Sequence, residues 1–253
     1  MAIVFVNRFF SPDYSATSQL LTDLCTALAQ QGQQVTVITS RQMINDPYAQ
    51  LPACEILHGV QVRRVWSPNF GRMSLSGRSL DYLGFYLSAA WCALRIVQPG
   101  DTLVAKTDPP MLSVVMGWVA ALRGARLINW LQDLFPEVAT ALGIQVLTGP
   151  LAGILKKVRN QSLKQAEMNV VLGRLMAERL RAEAIPGNQI RVIHNWADGQ
   201  QLYPLAAKDN PLRRDWDLEQ RFVIEYSGNM GRAHEFESLY PHAGLMIVTR
   251  DKA

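Results

Sequence analysis

The stretch Ile3-Val4-Phe5-Val6-Asn7-Arg8-Phe9-Phe10-Ser11-Pro12-Asp13-Tyr14-Ser15-Ala16-Thr17 carries the reading of the fold. Its first four residues form an apolar, β-branched and aromatic run that predicts a buried strand. A polar loop follows and opens into a helical pattern over 16–31, where Thr17, Leu20, Leu21, Leu24 and Leu28 share a face. Ser15 is placed to cap that helix and Gly32 to end it. Working outward, strand-like runs fall at 34–39, 60–65, 102–105, 127–131, 168–172 and 189–193. Helical segments separate several of them. One over 79–97 sets Leu80, Leu83, Leu87, Ala90, Trp91 and Leu94 on a single stripe. Another, over 111–123, is apolar nearly all round and is expected to be buried. Alternation of this kind predicts an α/β protein with a parallel sheet covered by helices.

Composition narrows the class. The chain has 253 residues, 49% hydrophobic and 18% charged, which is globular and slightly apolar. Cys25, Cys54 and Cys92 form no C-x-x-C, so neither a disulfide framework nor a zinc site is expected, and a reducing cytoplasmic setting fits. The N-terminus lacks the basic segment and long apolar core of a secretory signal. The uncharged run 138–155 is broken by Gly143, Gly149, Pro150 and Gly153, so it does not read as a membrane span. The net charge of +4 is concentrated in 150–182, where seven Lys and Arg face two Glu. Lys156, Lys157, Arg159 and Lys164 there are either a solvated helix face or a surface for an anionic membrane or acceptor. No nucleic-acid reader motif accompanies them.

Three loops are candidates for chemistry. The loop after the first strand leads into a helix N-terminus, whose N–H groups and dipole suit an anion. It lacks G-x-G-x-x-G, so dinucleotide binding is not expected there, and a plain surface loop is the competing reading. Asp133, in Gln132-Asp133-Leu134-Phe135-Pro136-Glu137, would emerge at a strand's carboxyl end facing the same crevice as Asp13. Either it accepts or orients a hydroxyl proton, or it caps the following turn. Lys106 and Asp108 precede Pro109-Pro110, where Asp108 reads as structural. His194-Asn195-Trp196-Ala197-Asp198 closes the last strand of the first domain. The run 222–226 enters Gly228-Asn229-Met230-Gly231-Arg232, a glycine turn with a phosphate-matched guanidinium. No H-E-x-x-H and no G-x-S-x-G is present. The boundaries read as a first domain over 1–197, a linker over 198–219 and the start of a second domain over 220–253.

These segments together resemble glycosyltransferase family 4, the two-lobed nucleotide-sugar transferases of GT-B fold, and within it the bacterial envelope-polysaccharide enzymes of the fucosamine transferase and colanic-acid type. The resemblance rests on Phe9-Phe10-Ser11-Pro12-Asp13 with Ala16-Thr17, Asp108-Pro109-Pro110, Gln132 to Glu137, His194 to Asp198, and Ser227 to Gly231. It implies a Rossmann-like N-terminal lobe on the acceptor side and retaining transfer from a nucleoside diphosphate sugar to a glycan or lipid-linked acceptor. No cofactor is implied beyond the donor co-substrate, and no metal. Asp133 and Asp13 become the candidate catalytic acids. Ser15, Ala16, Thr17, Gly228, Asn229, Gly231 and Arg232 become the donor-phosphate contacts, and His194 and Asn195 line the cleft at the hinge. The family's E-x7-E pair does not occur, and only 22 residues follow Gly231. The resemblance therefore implies a chain carrying only the beginning of its second lobe, with activity of that chain alone in doubt. A cytoplasmic protein at the inner face of the membrane is the expected setting. The alternatives are a non-catalytic module binding lipid-linked glycan or a partner, and a nucleotide-sugar epimerase of the same architecture.

Overall fold

The computed structural model describes residues 1–70, 75–144, 149–199 and 202–224. Gly228, Asn229, Gly231 and Arg232 lie outside the described residues. Of the strand expected at 222–226, residues 222–224 are described and are not in a strand, and 225 and 226 lie outside. The contacts divide the chain into two units, Met1–Trp196 and Ala197–Ala253.

The first unit is an eight-stranded sheet. Its strands are β1 (Ile3–Val6), β2 (Val35–Ser40), β3 (Cys54–Leu57), β4 (Val60–Val65), β5 (Thr102–Lys106), β6 (Arg126–Leu131), β7 (Met168–Val171) and β8 (Ile190–Val192). They lie in the order β3-β4-β2-β1-β5-β6-β7-β8, and every neighbouring pair but one is parallel. The exception is β3, which pairs antiparallel with β4 at the edge. Sequence reading passed over β3 because it alternates between exposed and half-buried positions and lacks the apolar density of a central strand. Its local signal is the two-residue turn His58-Gly59, both at positive φ (49° and 82°), a pattern that joins hairpin strands.

Helices α1 (Ala16–Gln30), α2 (Leu75–Ile96), α3 (Leu112–Arg123), α4 (Glu137–Ala141), α5 (Pro150–Gln165) and α6 (Arg174–Ala182) cover the sheet. On one side α1 packs Leu20, Leu21 and Cys25 against Phe5, Val37 and Val62. On the other, α2 and α3 pack Phe85, Ala89, Ala93, Leu112 and Met116 against Val4, Val6, Ile38 and Leu103. A third cluster joins Leu163 of α5 and Leu180 of α6 to Val171 and Ile190.

Two expectations about these helices are corrected. The large stripe of α2 does not form its core face: Leu80, Leu83, Leu87 and Trp91 are exposed, while small residues and Phe85 pack inward. Small side chains let the helix approach the sheet closely; at Gly84 an added Cβ would lie 2.3 Å from Pro68 Cδ. Likewise α3 is not buried all round, because Trp118 and Leu122 point outward. Between 198 and 219, read as linker, a short helix α7 (Pro211–Asp215) forms, with Pro at its first turn and Asn210 accepting the Leu212 N–H.

Arg159 corrects the basic face proposed for α5. It is buried, and its guanidinium forms a bidentate pair with Glu137 at 2.8 and 3.0 Å, besides donating to the Phe135 carbonyl. Its charge is therefore internal, linking α5 to the start of α4. Lys156 pairs with Glu183 at 2.5 Å nearer the surface. Breaking a buried pair leaves an uncompensated charge, whereas a surface pair contributes little. Accordingly Glu137→Ala should lower unfolding stability by about 3 kcal/mol and Glu183→Ala by at most about 1 kcal/mol, as read from urea denaturation midpoints.

Candidate functional site

The strand order reverses between β1 and β5. From β1 the chain winds outward through β2 and β4, then α2 carries it back to the other side of β1. Loops following β1 and β5 therefore diverge to opposite faces and leave a crevice at the carboxyl ends of the strands, where ligands of open α/β sheets bind. A cavity of about 350 Å³ opens there. Its walls come from Ser15, Ala16 and Thr17 at the start of α1, Ile44 after β2, Tyr82 of α2, Thr107, Asp108 and Pro110 after β5, and Gln132 and Asp133 after β6. The structure thus brings together Ser15, Ala16, Thr17 and Asp133, four residues singled out from sequence.

Buried polar groups hold these walls in place. The Arg8 N–H donates to the Asp108 carbonyl at 2.9 Å, and the Arg8 carbonyl accepts from the Ser40 N–H and the Thr39 hydroxyl, each at 2.9 Å. Arg64 reaches from β4 to donate to the Ser11 carbonyl at 2.7 Å. Asp13 is buried, and its two oxygens accept from the Ser15 N–H at 2.8 Å and the Ile44 N–H at 2.5 Å. Both of its oxygens are thus engaged in tying one wall to another, a positioning arrangement. At the start of α1, Ser15 has the extended backbone of an N-cap, yet its side chain makes no capping bond. The Ser15 Oγ is buried without a hydrogen-bond partner among the described residues. An uncapped helix N-terminus beside an unsatisfied hydroxyl is an environment fitted to an anion.

Asp133 stands at the pocket mouth. The residue is exposed overall, but enough wall surrounds its carboxyl that desolvation raises its pKa, against a lowering hydrogen bond from Thr107. The Thr107 oxygen also accepts the Gln132 N–H at 3.2 Å, so one hydroxyl orders both neighbours. Asp133 does not cap α4, whose N-cap position is Pro136. Gln132 and Asn195 exchange side-chain amide bonds of 3.3 and 3.2 Å, placing Asn195 at the same rim. His194 is exposed beside it. Of the α5 cations, Lys157 and Lys164 are exposed on a separate surface with Lys156.

Lys106, Trp130 and Trp196 were not assigned a role by sequence reasoning. Lys106 is buried beneath the pocket; its ammonium donates to the Thr17 carbonyl at 3.0 Å and sits 3.7 Å from the centre of the Trp130 ring. Trp196 stacks on Trp130 with centroids 5.7 Å apart. A lysine closing an apolar strand was the available signal, since a buried ammonium requires dedicated partners. Burial pulls the Lys106 pKa down to about 7, against the raising field of Asp108. The unfolded chain keeps that proton to about 10.5, so between these values it binds more protons than the folded one. Stability from this group therefore rises with pH across that window. Wild type should gain in urea midpoint from about pH 7 to about pH 8, and Lys106→Met should lose that gain. Equal slopes in the two proteins would show that Lys106 titrates as in water.

Among the described residues no helix is long and apolar enough to cross a membrane, and no group of His, Cys, Asp or Glu is assembled to hold a metal. Comparison with known proteins agrees with the geometry. Residues 16–196 match the family described as "Glycosyl transferase 4-like domain". The probable glycosyltransferase WbjE of Pseudomonas aeruginosa is 22% identical over 154 residues, which are 61% of this chain and 38% of that protein. Sucrose-phosphate synthase from Thermosynechococcus elongatus superposes with a TM-score of 0.58 at 17% identity, covering 86% of this chain and 53% of that one. Anabaena HepE in complex with UDP superposes with a TM-score of 0.53 at 12% identity, covering 86% and 50%. The chain thus spans about half the length of these solved structures and less of the curated relative. With most of its length matched, from the first helix to the Trp196 that stacks beneath the pocket, the chain belongs to the glycosyl transferase 4-like family.

Proposed function

We propose that the crevice above β1 and β5 is the acceptor-side half of a nucleotide-sugar transfer site, acting in the synthesis of a bacterial polysaccharide or lipid-linked glycan. The observation that carries this reading is the pairing, in one pocket, of an uncapped α1 N-terminus with a carboxyl of raised pKa. Transfer with retention breaks the bond from the anomeric carbon to the diphosphate oxygen and forms one to an acceptor hydroxyl oxygen. Negative charge grows on the departing diphosphate. The N–H groups around Ala16 and Thr17, with the Ser15 hydroxyl, supply fixed dipoles for that charge. The acceptor hydroxyl must lose its proton, and Asp133 is the base placed to take it, its raised pKa improving its proton affinity. Asp13 acts through the walls it joins and does not touch the sugar.

Contact with the donor diphosphate is assigned to Gly228, Asn229, Gly231 and Arg232. UDP and UDP-glucose occupy the HepE structures, which supports a nucleoside diphosphate sugar as the donor class. The acceptor is taken to be glycan or lipid-linked, met at the inner face of the cytoplasmic membrane. The competing reading is a module that holds such an acceptor without transferring sugar.

The test is transfer of labelled sugar from a panel of nucleoside diphosphate sugars to lipid-linked glycan extracted from bacterial membranes. Asp133→Asn should lower kcat by about 10²–10⁴-fold and leave acceptor KM within about threefold, because the base acts on the chemical step. The variant should also lose the fall in rate at acid pH that protonation of Asp133 imposes. Transfer that is equal in the two proteins would remove Asp133 from the chemistry. Acceptor binding without transfer from any donor would favour the non-catalytic module.

A further inference from the structure

α2, α3 and α5 lie side by side on one face of the sheet and turn a band of large apolar side chains away from it. Leu80, Leu83, Leu87 and Trp91 recur along α2 at helical spacing, 49% to 65% exposed. On α3, Trp118 and Leu122 are 73% and 74% exposed, and Ile154 of α5 is 60% exposed. Single exposed apolar residues are ordinary on a protein surface, but a contiguous band across three adjacent helices is not.

Two observations say what covers the band. The first is charge. The three helices contain seven Lys and Arg, of which Arg159 is buried against Glu137 and Lys156 is paired with Glu183, and a single acid, Asp81, whereas the whole chain carries 25 bases and 21 acids. Asp81 is buried and accepts the Phe70 N–H at 2.7 Å, so no carboxylate of these helices faces outward. A second copy of the chain would set one basic surface against another, while an anionic surface complements it.

The second is the placement of the indoles. Arg123 Nε donates to the Val97 carbonyl at 2.8 Å, tying the end of α3 to the end of α2. Counting back six residues to Trp91 and five to Trp118 at about 1.5 Å each sets the two tryptophans at nearly one height. The Arg95 guanidinium lies 4.4 Å from the centre of the Trp91 ring. Two indoles at one level, one of them with a cation on its face, suit the boundary between headgroups and acyl chains.

We propose that this face docks on an anionic lipid bilayer. Leu83, Leu87, Trp91, Trp118 and Leu122 enter the acyl boundary, while Lys157 and Lys164 of α5 meet the headgroup phosphates. The inference deepens the reading of a lipid-linked acceptor, yet docking is measured with no sugar donor or acceptor present, so either reading can fail alone.

The experiment is flotation of the 253-residue chain with phosphatidylcholine vesicles, with and without 30 mole per cent phosphatidylglycerol (roughly the anionic content at which such docking is expected). Binding should require the anionic lipid and weaken as salt is raised. Brominated acyl chains should quench tryptophan emission in the wild type and not in Trp91→Phe/Trp118→Phe. Leu83→Ser/Leu87→Ser should lower partition roughly tenfold or more, and Lys157→Glu/Lys164→Glu severalfold, with circular dichroism unchanged. If the serine variant fails to fold, quenching of the wild type decides alone. Equal partition of a folded serine variant, or emission untouched by the brominated chains, overturns the proposal. So does a lipid-free dimer that the serine variant dissociates, which would assign the face to a second copy.

Discussion

Parallel pairing of β1 with β5 is the constraint on which the site depends. In register from Ile3 with Thr102 to Val6 with Ala105, it joins two strands far apart in sequence and sends their following loops to opposite faces. The backbone between Val6 and Ala16 must therefore cross open space above the sheet, with few partners of its own. Donors on β2 and β4 to the Arg8 and Ser11 carbonyls, and the Asp108 carbonyl after β5 accepting the Arg8 N–H, supply them. The pocket is what remains once those bonds are satisfied.

Behind the lining residues lies a buried lysine against an indole face. Lys106, Trp130 and Trp196 form a stack running from the Thr17 carbonyl, at the start of α1, to the last residue of the first unit. An ammonium held between a carbonyl and an indole face is a costly arrangement that keeps its geometry only while all parts are present. Asp13 does comparable work at the side wall, fastening the loop after β2 to the helix start. The groups nearest the expected chemistry are thus divided between those that face the pocket, Ser15, Thr17 and Asp133, and those that hold it open from behind.

Charge is segregated in the same first unit. Acids that bear on the crevice, Asp13, Asp108 and Asp133, belong to loops at the carboxyl ends of strands. The bases are concentrated on the helices that cover one face, where Arg159 has been drawn inside by Glu137 while Lys157 and Lys164 remain exposed. One sheet consequently presents a pocket at the carboxyl ends of its central strands and a basic, apolar surface on a flank, and the two do not compete for residues.

Local chemistry determined the central strands and the start and end of α1, because continuous apolar runs and helical spacing are properties of neighbouring residues. The shared crevice of the loops after β1 and β6 followed from the rule for strand ends in open α/β sheets and from the family resemblance. The edge strand β3 escaped because half-exposed strands carry a weak pattern, and only His58-Gly59 announced it. Tertiary structure decided which face of α2 is inside: apolar spacing named Leu83, Leu87 and Trp91, but close packing on the sheet selected Phe85, Ala89 and Ala93. It also decided that Arg159 is internal, that Asp13 is a tie, and that Lys106 lies under the pocket. Each of these outcomes depends on a partner distant in the chain, and the energy of a buried charge is set by what surrounds it rather than by what adjoins it in sequence.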